Sequence, residues 1–175
     1  MTAFDTCLAS VLRSEGGFVN DSRDSGGMTN LGVTKHAWES WVGHSVDEAE
    51  IRALVPMTVG PFYRAMYWNP IHGDSLPPAL ALCVFHVSVN AGPRRAARLL
   101  QSVVGATPDG AIGPATLAAV TRLAQSRVAG LSTIVDTFQD ALRAYYRSLA
   151  TFPTFGKGWL NRAADVEAQA LAMAP

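Results

Sequence analysis

Residues 15–34, EGGFVNDSRDSGGMTNLGVT, decide how the N-terminal part of the chain folds. They combine a glutamate, two aspartates and five glycines. The apolar residues at positions 4–12 recur at helical spacing, and a pair of glycines ends that pattern in the manner of a C-terminal cap. The polar, glycine-rich remainder is typical of a loop with a small hairpin, in which we expect residues 29–33 to be extended. The stretch therefore predicts a helix that ends near Glu15, followed by a short β element.

Residues 79–90, ALALCVFHVSVN, are apolar almost all round. A helix of this composition is buried on every side, so we expect it at the centre of the fold. Further helices are predicted around it. Three of them are capped by Thr34, by Asp47 with Glu50, and by Thr58. A fourth begins at Pro114, a fifth covers 131–149, and a sixth covers 159–173 after a loop at 152–158. The sequence thus predicts a mainly α, two-lobed helical fold with a central buried helix and a small β-hairpin near residues 18–34.

Composition excludes several classes of protein. The 175 residues are 49% hydrophobic, and 14 basic side chains balance 14 acidic ones. A chain without a basic field is not expected to bind nucleic acid, and no apolar run approaches the ~20 residues that a membrane helix needs. Cys7 and Cys83 lack any paired spacing, so buried free thiols are favoured over a disulfide or a zinc site. We expect no metal and no cofactor.

Glu15 and Asp24 are the candidate catalytic carboxyls. The negative end of a helix dipole and apolar neighbours both disfavour a charged Glu15, and a protonated carboxyl is what a general acid requires. Asp24 lies in a polar loop that would keep it ionised. Two carboxyls with separated pKa values suit the cleavage of a glycosidic bond. An ordinary surface glutamate and a turn aspartate are the alternatives, and Asp21 is a rival for the second role.

Two threonines of the same stretch could hold a nucleophilic water. Thr34 is better explained as a helix cap. Thr29 has no evident capping role, and we predict it as the third catalytic residue, with an ordinary strand threonine as the alternative.

Candidate substrate-binding residues occur in two later motifs. Tyr67, Trp68 and Asn69 combine aromatic rings that can stack on sugars with an amide that can bond an N-acetyl group, although core aromatics are the alternative. His86 and Asn90 are four residues apart and share a face of the buried helix. This polar pair either lines a cleft or is satisfied inside the core.

On these residues the chain resembles glycoside hydrolase family 108, a group of phage and prophage endolysins that are N-acetylmuramidases of lysozyme-like fold. The resemblance runs in order through nearly the whole chain, over EGGFVND at 15–21, DSGGMTNLGVT at 24–34, YWNPI at 67–71, VNAGP at 89–93, LQ at 100–101, PDGAIGPATL at 108–117 and FGKGW at 155–159. The second half is similar to the predicted peptidoglycan-binding region attached to this family. The resemblance thus implies a lysozyme-like catalytic region at 1–87 and a helical region at 88–175, packed as one globular unit.

The resemblance also implies that Glu15 is the catalytic acid. The spacing of Glu15, Asp24 and a following threonine is similar to phage-type lysozymes, with Thr29 one residue closer than that pattern expects. Phe18 stands where the family usually has tyrosine, and His86 stands where an acidic residue is expected.

The resulting hypothesis is a bacteriolytic muramidase that cleaves the β-1,4 bond between N-acetylmuramic acid and N-acetylglucosamine of peptidoglycan strands. The alternatives are a lytic transglycosylase that acts on the same bond and a non-catalytic wall-binding module built around residues 88–125. Because no secretory signal is readable, we expect the protein to be made in the host bacterial cytoplasm, without stable membrane insertion, and to reach the cell wall or periplasm through a holin. We also expect a monomer. Phage lysis and an antibacterial effector are both open as settings.

Overall fold

The computed structural model describes residues 2–20, 27–126 and 130–174. The protein is mainly helical, with a small antiparallel sheet. A π-helical turn, Arg64–Trp68, and two 3-10 turns, Asn69–Ile71 and Gly73–Ser75, connect α4 to α5. In chain order the main elements are α1 (Ala3–Glu15), β1 (Val19–Asn20), β2 (Met28–Asn30), β3 (Val33–Thr34), α2 (Lys35–Val42), α3 (Glu48–Arg52), α4 (Pro56–Tyr63), α5 (Pro78–Ala91), α6 (Pro93–Val104), α7 (Pro114–Ala124), α8 (Gly130–Arg147) and α9 (Phe152–Met173).

Helix α5 is the centre of the structure. Every residue from Ala79 to Ser88 is buried, and the helix packs against α1, α6, α8 and α9. An all-round apolar surface has no side that can face water, so the remaining helices cover it. Cys83 of α5 and Cys7 of α1 are free and buried. The mainly α fold with a central buried helix is therefore confirmed.

Helix α1 brings Glu15 to a defined position. Thr2 and Asp5 form a capping box at its start, with each side chain accepting a hydrogen bond from the other's backbone N–H. Its apolar face packs into the core. The helix ends at Glu15 because Gly16 takes φ +78°, a positive backbone angle that glycine adopts without a steric penalty. The helix end predicted from the glycine pair is thus observed.

The sheet has the order β1-β2-β3, and both pairings are antiparallel. Leu31 and Gly32 form the two-residue turn between β2 and β3, with φ +51° and +73°. Positive φ at both positions is the signature of the turns that match the twist of a hairpin. The predicted continuous extended segment at 29–33 is therefore wrong, because the chain reverses at Leu31.

Several predicted helix starts can be compared directly with the observed helices. Thr34 caps α2 by accepting a hydrogen bond from the N–H of Ala37, and Asp47 caps α3 in a capping box with Glu50. Thr58 is not a cap. Helix α4 begins two residues earlier, at Pro56, where the fixed φ of proline favours the first helical position.

The predicted loop at 152–158 is helical, because α9 already begins at Phe152. Glycine spacing suggests a loop, but Gly156 is needed for packing. A methyl group there would lie 2.5 Å from the ring of Phe152. The glycine makes room for an aromatic side chain within a continuous helix.

Gln101 organises the turn between α6 and α7. Its buried side-chain amide donates hydrogen bonds to Asp109 Oδ1 at 2.7 Å and to the carbonyl of Ala111 at 2.9 Å, and it contacts Thr116 Oγ1 at 3.3 Å. Its carbonyl oxygen accepts the N–H of Gly110 at 2.9 Å. The Asp-Gly and Thr residues of the PDGAIGPATL motif therefore hold this turn together through one glutamine.

Replacing Gln101 by Leu is expected to destabilise the protein by about 2 kcal/mol, because buried polar groups of the turn lose their partners. The midpoint of urea unfolding measures the change, and Ser102→Ala, an exposed neighbour on α6, is the control. Equal midpoints for the two variants would show that the turn does not depend on Gln101.

Candidate active site

Glu15 is the last residue of α1 and is half-buried. Burial raises the pKa of its carboxyl, because a charged oxygen loses hydration there. The negative end of the helix dipole acts in the same direction. The charge of Arg162, on α9, opposes this shift and lowers the pKa. The carboxyl thus stays protonated to higher pH than an exposed glutamate, which is the state that a proton donor needs.

The β2–β3 turn lies directly against this carboxyl. A methyl group built on Gly32 would stand 2.7 Å from Glu15 Oε2 and 2.6 Å from the hydroxyl oxygen of Tyr63. The Tyr63 hydroxyl donates a hydrogen bond of 2.8 Å to the carbonyl of Leu31. The turn is therefore anchored by Tyr63, and the bare backbone of Gly32 lets Glu15 pack beside it.

Tyr67 is electrostatically coupled to the same carboxyl. It is half-buried, and burial, with a further contribution from Glu15, raises the pKa of its hydroxyl. The ring belongs to an aromatic cluster with Tyr63 and Phe62, at 5.6 and 6.0 Å between ring centroids. Trp41 extends this cluster from α2 through Phe62, and 40% of its surface is exposed. Tyr67 and Trp41 are thus available for stacking on a sugar ring.

Thr29 is on the more exposed face of the sheet. It pairs with both Val19 and Thr34, whereas the adjacent pair Asn30 and Val33 is buried. The Asn30 amide donates to the carbonyl of Ile51 at 2.8 Å, so its role is structural. The catalytic role of Thr29 stays a prediction.

The candidate second carboxylate belongs to the part of the glycine-rich stretch that lies outside the described residues. This is true of Asp24 and of its rival Asp21. The role of Asp24 as second carboxylate therefore also stays a prediction.

Trp68 and Asn69 do not join Glu15. The Trp68 ring is fully buried, packs edge-on to Phe85, and its indole N–H donates to Asp74 Oδ1 at 3.0 Å. A ring enclosed in this way cannot stack on a sugar, so the predicted substrate contact is wrong. Asn69 is exposed, in a separate depression with His72 and Asp74 that does not include Glu15.

His86 is a core residue rather than a cleft residue, with only 4% of its surface exposed. Its Nε2 atom lies 3.0 Å from Ser10 Oγ, and this hydrogen bond joins α5 to α1. Burial, with the charges of Arg162 and Arg13, lowers the pKa of the imidazole to about 3, so the ring is neutral. The predicted contact between His86 and substrate is therefore corrected to a structural role. Asn90 is exposed one turn further along and donates to the carbonyl of His86.

Sequence reasoning misses Tyr63 and Gly32 as neighbours of Glu15, and it misses Arg162 as a charge that lowers the pKa of Glu15. Tyr63 precedes the YWNP motif by one helical turn, so its spacing from Tyr67 is the signal that could indicate a shared face. From the sequence alone, Gly32 is predicted only as a loop glycine. Arg162 comes from the far end of the chain, where no local pattern reveals its electrostatic effect on Glu15.

Within the described ranges, no group of three or more His, Cys, Asp or Glu side chains is placed to hold a metal ion. Among the helices that the structure describes, none is long and apolar enough to cross a membrane.

The fold and the half-buried Glu15 are those of a lysozyme-like glycoside hydrolase. The family model "Glycosyl hydrolase 108" matches residues 8–92, and "Predicted Peptidoglycan domain" matches residues 95–164. The solved structure described as "Structure of Brucella abortus SagA" is 38% identical, covers 97% of this chain and 94% of its own, and superposes with a TM-score of 0.82. No curated protein sequence matches significantly. The chain belongs to glycosyl hydrolase family 108 and is a peptidoglycan-hydrolysing enzyme of the muramidase type.

Proposed function

We propose that this protein hydrolyses the β-1,4 bond between N-acetylmuramic acid and N-acetylglucosamine, with Glu15 as general acid. The observation that carries the proposal is the half-buried Glu15 carboxyl at the end of α1, whose pKa is raised by burial. A protonated carboxyl can give its proton to the glycosidic oxygen as the bond breaks. The leaving sugar then departs as a neutral alcohol.

The second half of the proposed reaction takes place on the anomeric carbon. Either a water held by Asp24 and Thr29 attacks this carbon and passes a proton to Asp24, or Asp24 bonds to the carbon and a water then displaces it, giving its proton to Glu15. Tyr67 supports the substrate, since its half-buried ring packs against Tyr63, whose hydroxyl holds the β2–β3 turn beside Glu15. No metal or cofactor takes part in this scheme.

The biological setting is also a proposal. We infer an endolysin that is made in the bacterial cytoplasm as a monomer and is released to the wall through a holin during phage lysis. The resemblance to phage and prophage enzymes supports this setting. Lysis of cells that express the protein with and without a co-expressed holin would test it.

Mass spectrometry of digested peptidoglycan tests the bond and the reaction. Hydrolysis at the proposed bond leaves reducing N-acetylmuramic acid ends. Reducing N-acetylglucosamine ends would place the cut at the other glycosidic bond, and 1,6-anhydro ends would identify the alternative, a lytic transglycosylase. New free amino groups without glycan cleavage would overturn the glycosidase proposal altogether.

A further inference from the structure

A narrow cavity lies between the central helix α5 and the two C-terminal helices, α8 and α9. Its walls include His86 of α5, Gln139 of α8 and Val166 of α9. About 10 Å³ of it is open to the centre of a water-sized sphere. This volume admits a single water molecule and excludes sugars, peptides and cofactors. Exposed Asn90 and half-buried Arg162 also line the cavity, so this wall is the one nearest to bulk water.

The hydrogen bonds of Ser10 fix which nitrogen of His86 carries the proton. Gln169 Oε1 accepts hydrogen bonds from Arg13 Nη2 at 2.8 Å and from Ser10 Oγ at 2.9 Å. Because a guanidinium only donates, this atom of Gln169 is the oxygen, and the single hydroxyl hydrogen of Ser10 is used on it. Ser10 Oγ is therefore the acceptor in its 3.0 Å contact with His86, so Nε2 carries the proton and donates.

The other ring nitrogen of His86, Nδ1, is consequently a bare acceptor. Burial, with smaller effects of Arg162 and Arg13, lowers the pKa of the imidazole to about 3, so Nδ1 takes up no proton of its own at neutral pH. The atom is buried, and no donor among the described residues reaches it. Buried acceptors in proteins are paired with a protein group or with ordered water.

Gln139 brings a second unpaired polar group to the cavity. Its side chain is fully buried, and in the described part of the chain neither Oε1 nor Nε2 has a hydrogen-bond partner. Burial raises the pKa of the Cys83 thiol to about 12, and Gln139 lowers it by a smaller amount. A thiol is only a weak partner for an amide. Gln139 therefore presents both a donor and an acceptor, whichever way its amide is turned.

The chemistry of this lining selects the ligand. Cavities that stay dry are lined by apolar side chains, and each buried polar group without a partner costs a substantial part of the small net stability of a protein. A cation does not fit, since Arg162 lines the same cavity. Water can donate to His86 Nδ1 and can both donate to and accept from the amide of Gln139, so it satisfies every unpaired atom type that the cavity presents.

We propose that this cavity is a binding site for one long-lived water molecule, which donates to His86 Nδ1 and bonds to the amide of Gln139. The water extends a polar chain that already runs from Gln169 through Ser10 to His86. With the water in place, the chain passes through α9, α1, α5 and α8 in turn. It ties the C-terminal helices to the central helix and to α1 from inside the core.

Nuclear Overhauser effects from water to methyl protons test the site in the native protein. Val87, Leu142 and Val166 line the cavity, and their methyl groups should show the cross-peaks of a water molecule that tumbles with the protein. Val135, a buried valine of α8 outside this lining, is the matched control and should show none. Cavity methyl groups with cross-peaks no stronger than those of Val135 would overturn the proposal.

Gln139→Met keeps the length of the side chain and removes its amide. The variant should lose one long-lived water, counted by oxygen-17 relaxation dispersion of the solvent, which does not respond to exchanging hydroxyl protons. Its unfolding temperature should fall by roughly 2–4 °C, because His86 keeps an unpaired nitrogen. Gln125→Met, the same change at an exposed position at the end of α7, should leave both quantities at their native values.

Two results with Gln139→Met would contradict the proposal. An unchanged count of long-lived waters would mean that the methyl cross-peaks arise from protein hydroxyls. A higher unfolding temperature would mean that the cavity is dry, because the substitution then removes two unpaired buried atoms. The methyl cross-peaks need only the native protein, so the proposal can fail even if Gln139→Met does not fold.

Discussion

Glu15→Gln is expected to lower the rate of peptidoglycan hydrolysis by roughly 10²- to 10⁴-fold, the usual contribution of a general acid. The amide keeps the size and shape of the carboxyl but has no acidic proton to give to the leaving oxygen. Turbidity loss of purified cell walls measures the rate. Sedimentation with the same walls measures binding, which should persist because substrate-binding side chains are untouched.

The stability of Glu15→Gln, unlike its activity, should not fall. The pKa of Glu15 is raised in the folded protein, so the stability that the group contributes is fully present below its unfolded pKa and is lost as the pH rises through the folded value. A neutral amide does not ionise. At neutral pH the variant should therefore unfold at the same temperature as the native protein or at a higher one.

Glu50→Gln is the matched control for this prediction. Glu50 is exposed at the capping box of α3, where glutamine can make the same contact to the backbone. Its activity should stay close to native. Retention of native activity by Glu15→Gln would remove Glu15 from the mechanism, and loss of wall binding together with activity would point to a role in binding.

Local signals in the sequence are sufficient to locate several helices and one catalytic candidate, Glu15. The all-round apolar run of α5 and the caps at Thr34 and Asp47 are determined by neighbouring residues, so pattern alone locates them. Glu15 can be found because two glycines after an amphipathic helix fix where that helix ends. A helix end with a carboxyl is a local feature with a direct chemical meaning.

Features that depend on distant parts of the chain are not predictable in this way. Trp68 occupies a motif that suits sugar stacking, but packing against Phe85 encloses it. Gly156 suggests a loop until the ring of Phe152 explains it as a packing glycine. The charge of Arg162 lowers the pKa of Glu15 only because α9 packs on α1 and α5, an arrangement made by tertiary contacts and by no local pattern.

Gly32→Ala is expected to reduce kcat by roughly 10- to 100-fold, because small displacements of a catalytic group have effects of this size. The new methyl group would stand 2.7 Å from Glu15 Oε2 and 2.6 Å from the Tyr63 hydroxyl, so at least one of the two side chains must move. The hydroxyl is held by its bond to Leu31, and the turn itself is held by β2 and β3. The Glu15 carboxyl is the more exposed of the two groups and is the one we expect to shift.

The left-handed backbone at Gly32 adds strain that is separate from this clash, and Gly43→Ala isolates it. Gly43 has φ +81°, close to the +73° of Gly32, but a methyl group there meets nothing within 4 Å. The strain of an alanine in this conformation should cost both variants about 1 kcal/mol of stability, a shift of roughly 2–4 °C in the unfolding temperature, and Gly32→Ala should lose more because of its clash. Only Gly32→Ala should lose activity, measured as the initial rate on purified walls at a temperature where both are folded. Equal rates for the two variants would mean that the turn can yield without moving Glu15, and that the close approach of Gly32 is a matter of packing and not of catalysis.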